Sequence, residues 1–171
     1  PMGIPIIENE KSYQALNDAL AKENALLIIK IHPMQDMTYV KVRNLSNILV
    51  LDGMSMKKYG IDNYRLMKDT DALISDYSSA ANDYLHTGKP VAYTMDDADC
   101  FGSGFIVEDI TTMTAGPFIR NQADFLAFVY QVLSGDDDYR EKREQLLQTI
   151  FDFRDGNSAQ RLCRFMGIEK D

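Results

Sequence analysis

Short apolar runs alternate with helical periodicities along the chain. The first periodic stripe predicts a helix over residues 11–24, with Ser12 as a candidate N-terminal cap. Its apolar members are Tyr13, Leu16 and Leu20. The aliphatic run Ala25–Ile31 follows and stops at His32-Pro33, since proline ends a hydrogen-bonded ladder. A run that is apolar on both faces is typical of a central parallel strand, so we predict one here.

Three later runs have the same character. They are Asn47–Asp52, Ala72–Asp76 and Val91–Met95. Helical patterns separate them, one over Ile61–Asp69 and one from Ser78-Ser79 to Thr87, which Gly88 closes. The apolar members of the first pattern are Tyr64, Leu66 and Met67. This alternation of strands and helices predicts βαβ units.

The last third of the chain is predicted to be helical. Residues 96–116 are irregular and read as a long loop, which in a compact domain is usually functional or mobile. Asn121 then caps a helix to Leu133, a second runs from Gly135 to Phe153, and residues 155–158 cap a third. The predicted inward residues are Phe125, Phe128, Val129 and Val132, then Tyr139, Leu146, Ile150 and Phe153. The third helix carries Leu162, Cys163 and Met166.

These elements predict an α/β fold. We expect a Rossmann-like parallel sheet with helices on both faces and a helical C-terminal tail. The 171 residues suffice for one domain over residues 1–171, with a core that needs no disulfide.

The composition argues against some classes of function and partner. The 18 basic and 26 acidic residues give a net charge of −8, which argues against a nucleic-acid partner. No apolar run approaches the roughly 20 residues that span a bilayer. Cys100 and Cys163 have no metal-binding spacing, so a cytoplasmic location is expected.

Candidate chemistry lies where the predicted strands end. Ligands of open α/β sheets bind beyond the carboxyl ends of the strands. Ser78 and Ser79 follow one strand and begin a helix, where backbone N–H groups and two hydroxyls can bind a phosphate or pyrophosphate. Asp83 follows one turn later and can reach the hydroxyls of a ribose. In the alternative interpretation a serine only caps the helix and Asp83 only offsets its dipole.

The two histidines and one acidic cluster are the other candidates for functional residues. His32 leaves a buried strand and can hold a phosphate oxygen or shuttle a proton, or it is structural. His86 lies at the end of a predicted helix, where its favourable interaction with the helix C-terminus is a sufficient reason for its presence. Asp96, Asp97 and Asp99 read as a solvated loop rather than a cation site, so no metal and no cofactor are predicted.

The chain resembles the CDP-glycerol glycerophosphotransferase family of teichoic-acid-type polymerases and primases. The resemblance covers residues 11–167. It rests on Leu27–Pro33, the block Ile74–Ser79 with Asp83-Tyr84-Leu85, Thr87–Pro90, Ala115-Gly116-Pro117 and Asp155–Arg161.

The resemblance implies a GT-B transferase with two Rossmann-like domains, of which this chain would be the C-terminal, donor-binding half. It implies that Ser78 and Ser79 meet the donor phosphates, Asp83 the ribose and His32 the transferred group as the catalytic residue. Arg161 is implied as a further phosphate contact. The expected partners are CDP-glycerol or a related nucleotide-activated donor, a polymer or lipid-linked acceptor, and an N-terminal acceptor domain that the chain lacks. The full-length protein would lie in the cytoplasm, where it can be peripheral to the inner face of the membrane.

Two departures from the family pattern matter. Ser103 precedes Gly104-Phe105 where the family commonly has an arginine, so one charge contact is missing or the donor differs. The second catalytic histidine of the family belongs to the acceptor half, so we expect this chain alone to be inactive. Two alternatives stay open: a nucleotide-sugar-dependent GT-B glycosyltransferase for capsule or lipopolysaccharide synthesis, and a non-catalytic nucleotide-binding module.

Overall fold

A computed structural model of the chain describes residues 7, 9–31, 42–94, 104–105 and 107–168. Among these residues there are four strands and seven α-helices, and the strands follow the order that the sequence predicts. The strands are β1 (Leu27–Lys30), β2 (Ile48–Leu51), β3 (Leu73–Ser75) and β4 (Val91–Tyr93). The helices are α1 (Glu10–Lys22), α2 (Gly53–Tyr59), α3 (Asn63–Asp69), α4 (Ala80–Tyr84), α5 (Gln122–Ser134), α6 (Arg140–Ile150) and α7 (Ser158–Phe165).

The strands pair in parallel. β1 pairs with β2, with Leu27 opposite Ile48, and β3 pairs with β4, with Leu73 opposite Val91. A single parallel bridge joins Tyr93 to Phe118. The α/β class with parallel strands is confirmed, although the ladders among the described residues form two pairs rather than one continuous sheet.

The strands are shorter than the apolar runs that predicted them, and at the start of the first run a hydrogen bond to the preceding helix accounts for the difference. The N–H of Ala25 donates to the carbonyl of Leu20 at 2.9 Å and so closes α1 rather than starting β1. The apolar pattern thus locates each strand but overstates its length.

Helices cover both faces of β3 and β4, as predicted. The first core joins residues of α1 and α5 to β2 and β4: Tyr13, Leu16, Leu20, Ile48, Ala92, Ile119, Phe125 and Phe128. The second core joins residues of α3, α4 and α6 to β4: Met67, Ala81, Tyr84, Leu85, Val91, Tyr93, Ala115 and Leu146. All three residues of β4 are buried, with Ala92 in the first core and its two neighbours in the second.

The chain approaches β4 closely at Gly116. A Cβ placed there would lie 1.7 Å from the carbonyl oxygen of Val91, so no side chain fits. The adjoining segment bonds to β4, since Tyr93 N donates to Pro117 O and Ile119 N donates to Tyr93 O. Gly116 is therefore needed for the path of the chain beside β4.

Several helix predictions need correction. Asn9, not Ser12, caps α1, and Ser12 completes a reciprocal capping box with it. The helix α2 was not predicted because none of its residues is buried, so it shows no apolar periodicity. The helix predicted to end at Thr87 is α4 followed by a 3-10 helix over Leu85–Thr87.

The C-terminal helices also differ from prediction. Asn121 caps α5 by accepting from Asp124 N, as predicted. Phe153, predicted to point inward, is 60% exposed because α6 ends at Ile150. α7 buries none of its residues, and Leu162 and Met166 are exposed. No helix in the described ranges combines the length and hydropathy needed to cross a bilayer.

Candidate nucleotide-binding site

A cleft of about 210 Å³ opens at the carboxyl ends of β3 and β4. This is the position that the predicted topology favours for a ligand. The lining residues that bear on its chemistry are Asp76, Tyr77, Ser78, Ser79, Asn82, Tyr93 and Phe105. Because complete small-molecule sites usually measure about 300–1,000 Å³, this cleft accommodates part of a nucleotide-sized ligand.

The turn after β3 holds its serines in place by local hydrogen bonds. Ser78 N donates to Asp76 Oδ1 at 2.8 Å, and Ala80 N donates to Ser78 Oγ at 3.3 Å. Ala81 N donates to Ser78 O at 3.0 Å. The backbone N–H groups of Ser78, Ala80 and Ala81 therefore already donate to acceptors within the turn.

This turn changes the physical basis of the predicted phosphate site. The sequence predicts a phosphate bound by backbone N–H groups and two hydroxyls at the start of a helix that runs to Thr87, but α4 has five residues. A helix this short aligns few peptide dipoles. The donors that the turn still offers a phosphate include the two serine hydroxyls, because Ser78 Oγ accepts one bond and can still donate its proton.

Ser79 is the serine with the greater freedom to bind a ligand. It occupies the N-cap position of α4, but its backbone is helical and its side chain makes no capping hydrogen bond. Its side chain is exposed and lines the cleft. The capping alternative therefore fails for Ser79, whereas Ser78 does make a local turn bond.

Part of the cleft lining is aromatic and apolar. Tyr77 and Phe105 meet edge to face, with ring centroids 5.2 Å apart and an interplanar angle of 71°. Tyr93 is buried and its hydroxyl accepts from Ala115 N at 3.3 Å. Burial raises the pKa of Tyr93, so this side chain stays neutral. The sequence places Tyr93 at a strand end and Gly104-Phe105 in the family pattern, but it does not predict that either aromatic ring lines the cleft, because such a ring has the same pattern as one of the core.

The cleft contains an excess of negative charge. Of the described residues that line it, Asp76 is the charged one, and no lysine or arginine is among them. Phosphate binding normally uses cationic or amide donors to offset the charge of the ligand. A phosphate here would therefore need cations from outside the described lining. The predicted candidate, His32, lies outside the described residues, as do Asp96, Asp97, Asp99, Cys100 and Ser103.

Asp83 lies on α4, one turn after Ser79, as predicted. Its amide donates to Ser79 O at 3.2 Å. Its side chain is half-buried, and Oδ2 accepts a hydrogen bond from the Tyr64 hydroxyl at 3.2 Å. This bond to a carboxylate raises the pKa of Tyr64, so the phenol keeps its proton and stays a donor. Asp83 is not among the residues that line the cleft.

Arg161 lies elsewhere, on α7. Its guanidinium donates to both oxygens of Asp155, with Nη1 and Oδ1 3.0 Å apart, and lies 3.9 Å from the ring centroid of Phe153. The hydrogen bonds from Arg161 hold the pKa of Asp155 well below its usual range. The structure thus brings Ser78 and Ser79 together with Asp83 nearby, whereas Arg161 is paired outside the cleft lining and its phosphate contact stays a prediction.

Metal ligands do not converge in the described ranges. No three histidine, cysteine or carboxylate side chains of these residues form a group that could hold a metal ion. The expectation that the protein works without a metal or cofactor stays a prediction.

Comparison with known proteins identifies relatives that act on teichoic acids. Teichoic acid ribitol-phosphate polymerase TarL of Staphylococcus aureus (strain NCTC 8325 / PS 47) is 31% identical over 150 residues, covering 84% of this chain and 24% of TarL. Teichoic acid glycerol-phosphate transferase of the same strain is 30% identical over 98 residues, covering 56% of this chain and 25% of its own length. The chain spans about a quarter of the length of these curated relatives.

The fold has solved counterparts. The wall teichoic acid polymerase TagF superposes with a TM-score of 0.57 at 17% identity, covering 90% of this chain and 46% of that one. A TagF variant soaked with CDPG gives a TM-score of 0.56 at 18% identity, covering 90% of this chain and 45% of that one. These similarities support the GT-B-like α/β class.

A family model matches almost the whole chain. The match spans residues 6–167 and belongs to the family described as CDP-Glycerol:Poly(glycerophosphate) glycerophosphotransferase. The motifs that carry the resemblance and the shared fold agree with this match. The chain therefore belongs to the CDP-glycerol:poly(glycerophosphate) glycerophosphotransferase family.

Proposed function

We propose that this chain is the donor-binding part of a teichoic acid glycerophosphotransferase. In the proposed reaction, a hydroxyl of a polymer or lipid-linked acceptor attacks the phosphate that carries glycerol, and the bond from that phosphate to CMP breaks. The observation that carries the proposal is that the family-specific block Asp76–Ser79 lines a cleft at the carboxyl ends of β3 and β4. Residues 1–171 would act as one donor-binding domain, working with an acceptor domain elsewhere in the full enzyme.

The residues have separate proposed roles. Ser78 and Ser79 bind the donor phosphates through their hydroxyls, and Asp83 accepts hydrogen bonds from the ribose. His32 acts at the transferred phosphate, and Arg161 is a further phosphate contact that would have to give up part of its pairing with Asp155. The family membership favours this chemistry over transfer of a sugar and over a module without catalysis.

A donor that carries ribitol phosphate is a second candidate. The two ribitol-phosphate polymerases, TarL and TarK, each match 84% of this chain, whereas the glycerol-phosphate transferase matches 56%. Ser103 stands where the family commonly has an arginine, which is also compatible with a different donor. A competition assay between CDP-glycerol and CDP-ribitol would distinguish the two donors.

The donor site is tested by replacing Ser79. We expect Ser79→Ala to weaken binding of CMP and CDP-glycerol by about 1.5–3 kcal/mol, the usual effect of a hydrogen bond to a charged group. Isothermal titration calorimetry measures this directly. Ser134→Ala is the matched control, because Ser134 is an exposed serine at the end of α5 whose hydroxyl makes only local bonds.

Two results would contradict the donor-site proposal. One is a folded wild-type chain that binds neither nucleotide, and the other is equal binding by Ser79→Ala and Ser134→Ala. If the chain binds CDP-glycerol and also releases CMP when supplied with an acceptor, the expected inactivity of this chain alone is wrong. A cytoplasmic location stays a prediction from the sequence.

A further inference from the structure

Tyr64 is exposed although it is one of the apolar members of the predicted helix over 61–69. Its neighbour Met67 is buried in the second core, whereas Tyr64 is 62% exposed. Its hydroxyl instead donates to Asp83 Oδ2 at 3.2 Å, which links α3 to α4 across 19 positions of the chain. A large aromatic side chain thus lies in solvent beside the carboxylate that is proposed to bind ribose.

The bond to Tyr64 leaves the Asp83 carboxylate with acceptor capacity. An ionised carboxylate has two oxygens and about four acceptor positions. Among the described residues, the Tyr64 hydroxyl is the donor that the structure gives to this side chain, and it uses Oδ2. Because the terminal torsion of an aspartate is broad, a fixed donor restricts the orientations of the carboxylate.

The packing of α3 against α4 is secured by other bonds. The Tyr84 hydroxyl is buried, lies 3.0 Å from Thr70 Oγ1 and donates to Thr70 O at 3.2 Å. Lys89 Nζ also donates to Thr70 O, at 2.6 Å. With these partly buried bonds in place, an exposed Tyr64–Asp83 bond adds little to stability.

We propose that Tyr64 is a positioning residue for the nucleotide donor: its hydroxyl orients the Asp83 carboxylate so that the remaining acceptor positions bind the ribose hydroxyls. This inference rests on the proposed function, since it assumes that Asp83 meets a ribose. It makes Tyr64 a determinant of the preference for a ribonucleotide over a deoxyribonucleotide.

The test compares CMP with 2′-deoxy-CMP by isothermal titration calorimetry. We expect Tyr64→Phe to weaken CMP binding by about two- to tenfold, the effect of one oriented hydrogen bond, and to leave 2′-deoxy-CMP binding much less affected. The affinity ratio of the two nucleotides should therefore fall. A purely structural role for Tyr64 would weaken both nucleotides equally.

Tyr59→Phe is the matched control. Tyr59 is a 66% exposed tyrosine at the end of α2, and its ring contacts Lys58. This variant should bind both nucleotides as the wild type does. Thermal unfolding of all three proteins checks that the exposed substitutions leave the fold intact.

A double variant isolates the coupling between the two residues. In an Asp83→Ala background, Tyr64→Phe should add no further loss of CMP affinity, because the acceptor that Tyr64 orients is gone. The inference is overturned if Tyr64→Phe leaves the affinity ratio unchanged while the wild type binds CMP; the proposed function then stands. If the wild type binds CDP-glycerol but not CMP, this inference is overturned and the proposed function stands; if it binds neither nucleotide, both are wrong.

Discussion

The sequence does not decide which of the two hydroxyls, that of Ser78 or that of Ser79, is free to bind a ligand. The sequence correctly places both serines directly after β3, but it cannot show which of them the turn uses. In the structure Ser78 Oγ accepts from Ala80 N, whereas the Ser79 side chain makes no capping bond. That difference depends on the helical backbone of Ser79, which no periodicity encodes.

The exposure of aromatic side chains is also difficult to predict from the sequence. Tyr64 and Phe153 both fit an apolar helical spacing, and both are exposed. Spacing reports the face of an ideal helix but not where the helix ends or which polar partner an aromatic hydroxyl finds. The interaction between Tyr64 and Asp83 therefore required the structure.

Gly116 is the residue for which we predict the clearest effect on stability. Gly116→Ala should lower the free energy of unfolding by about 1–3 kcal/mol, because the added methyl group overlaps the Val91 carbonyl and β4 has to move. Chemical denaturation measures the loss. Gly53→Ala is the control, since a Cβ there meets no atom within 4 Å and the residue is already helical. Equal stability of the two variants would show that the segment beside β4 adjusts freely.

At the scale of elements, strand positions were predictable and strand lengths were not. Each apolar run contains an observed strand, but residues such as Ala25 bond to a preceding helix instead. Helices with a buried stripe, such as α1 and α5, were also predictable. α2 was not, because a helix without buried residues has no apolar pattern.

Helix capping is testable at two asparagines with different geometry. Asn121→Ala should lower the free energy of unfolding by about 0.5–2 kcal/mol, because its side chain accepts from Asp124 N at the start of α5. Asn157→Ala should change stability by less than about 0.5 kcal/mol, since the Asn157 side chain does not cap α7. Thermal unfolding of both variants checks the difference, and a larger effect at Asn157 would refute the capping argument.

At the scale of the whole molecule, a buried ion pair connects the C-terminal helices to β4. Arg143 of α6 is 3% exposed; its Nη1 donates to Asp137 Oδ1 at 2.8 Å and its Nη2 to Gly88 O at 3.2 Å. Gly88 lies just before β4, so the guanidinium holds the 136–139 turn and α6 against the entrance of that strand. The sequence predicts that Gly88 ends a helix, but it does not predict the burial of Arg143, because a single basic residue on a charged helix shows no burial signal.

Asp137→Asn should destabilise the protein strongly, by about 3 kcal/mol, since it leaves the buried Arg143 without a countercharge. The hydrogen bond from Arg143 lowers the pKa of Asp137 in the folded state. Its contribution to stability is therefore fully present above the usual carboxyl pKa of about 4 and is lost as the pH falls through the lower folded value.

The acid titration separates this effect from a general loss of stability. Between neutral pH and the acid range, Asp137→Asn should show a smaller decrease in stability than the wild type, because it has no carboxylate to protonate at this position. Asp138→Asn, at a neighbouring exposed residue, is the control and should follow the wild type. Parallel acid curves for all three proteins would contradict the assignment.

The burial of β4 has a consequence for how the molecule unfolds. Val91 and Tyr93 contribute side chains to the second core while Ala92, between them, contributes to the first. Loss of packing in either core would leave one face of this three-residue strand unsupported, and the strand has too few residues to persist on the other face alone. We therefore expect the helices that pack on opposite faces of β4 to unfold together, and the edge of the cleft formed by Tyr93 to loosen only when both cores do.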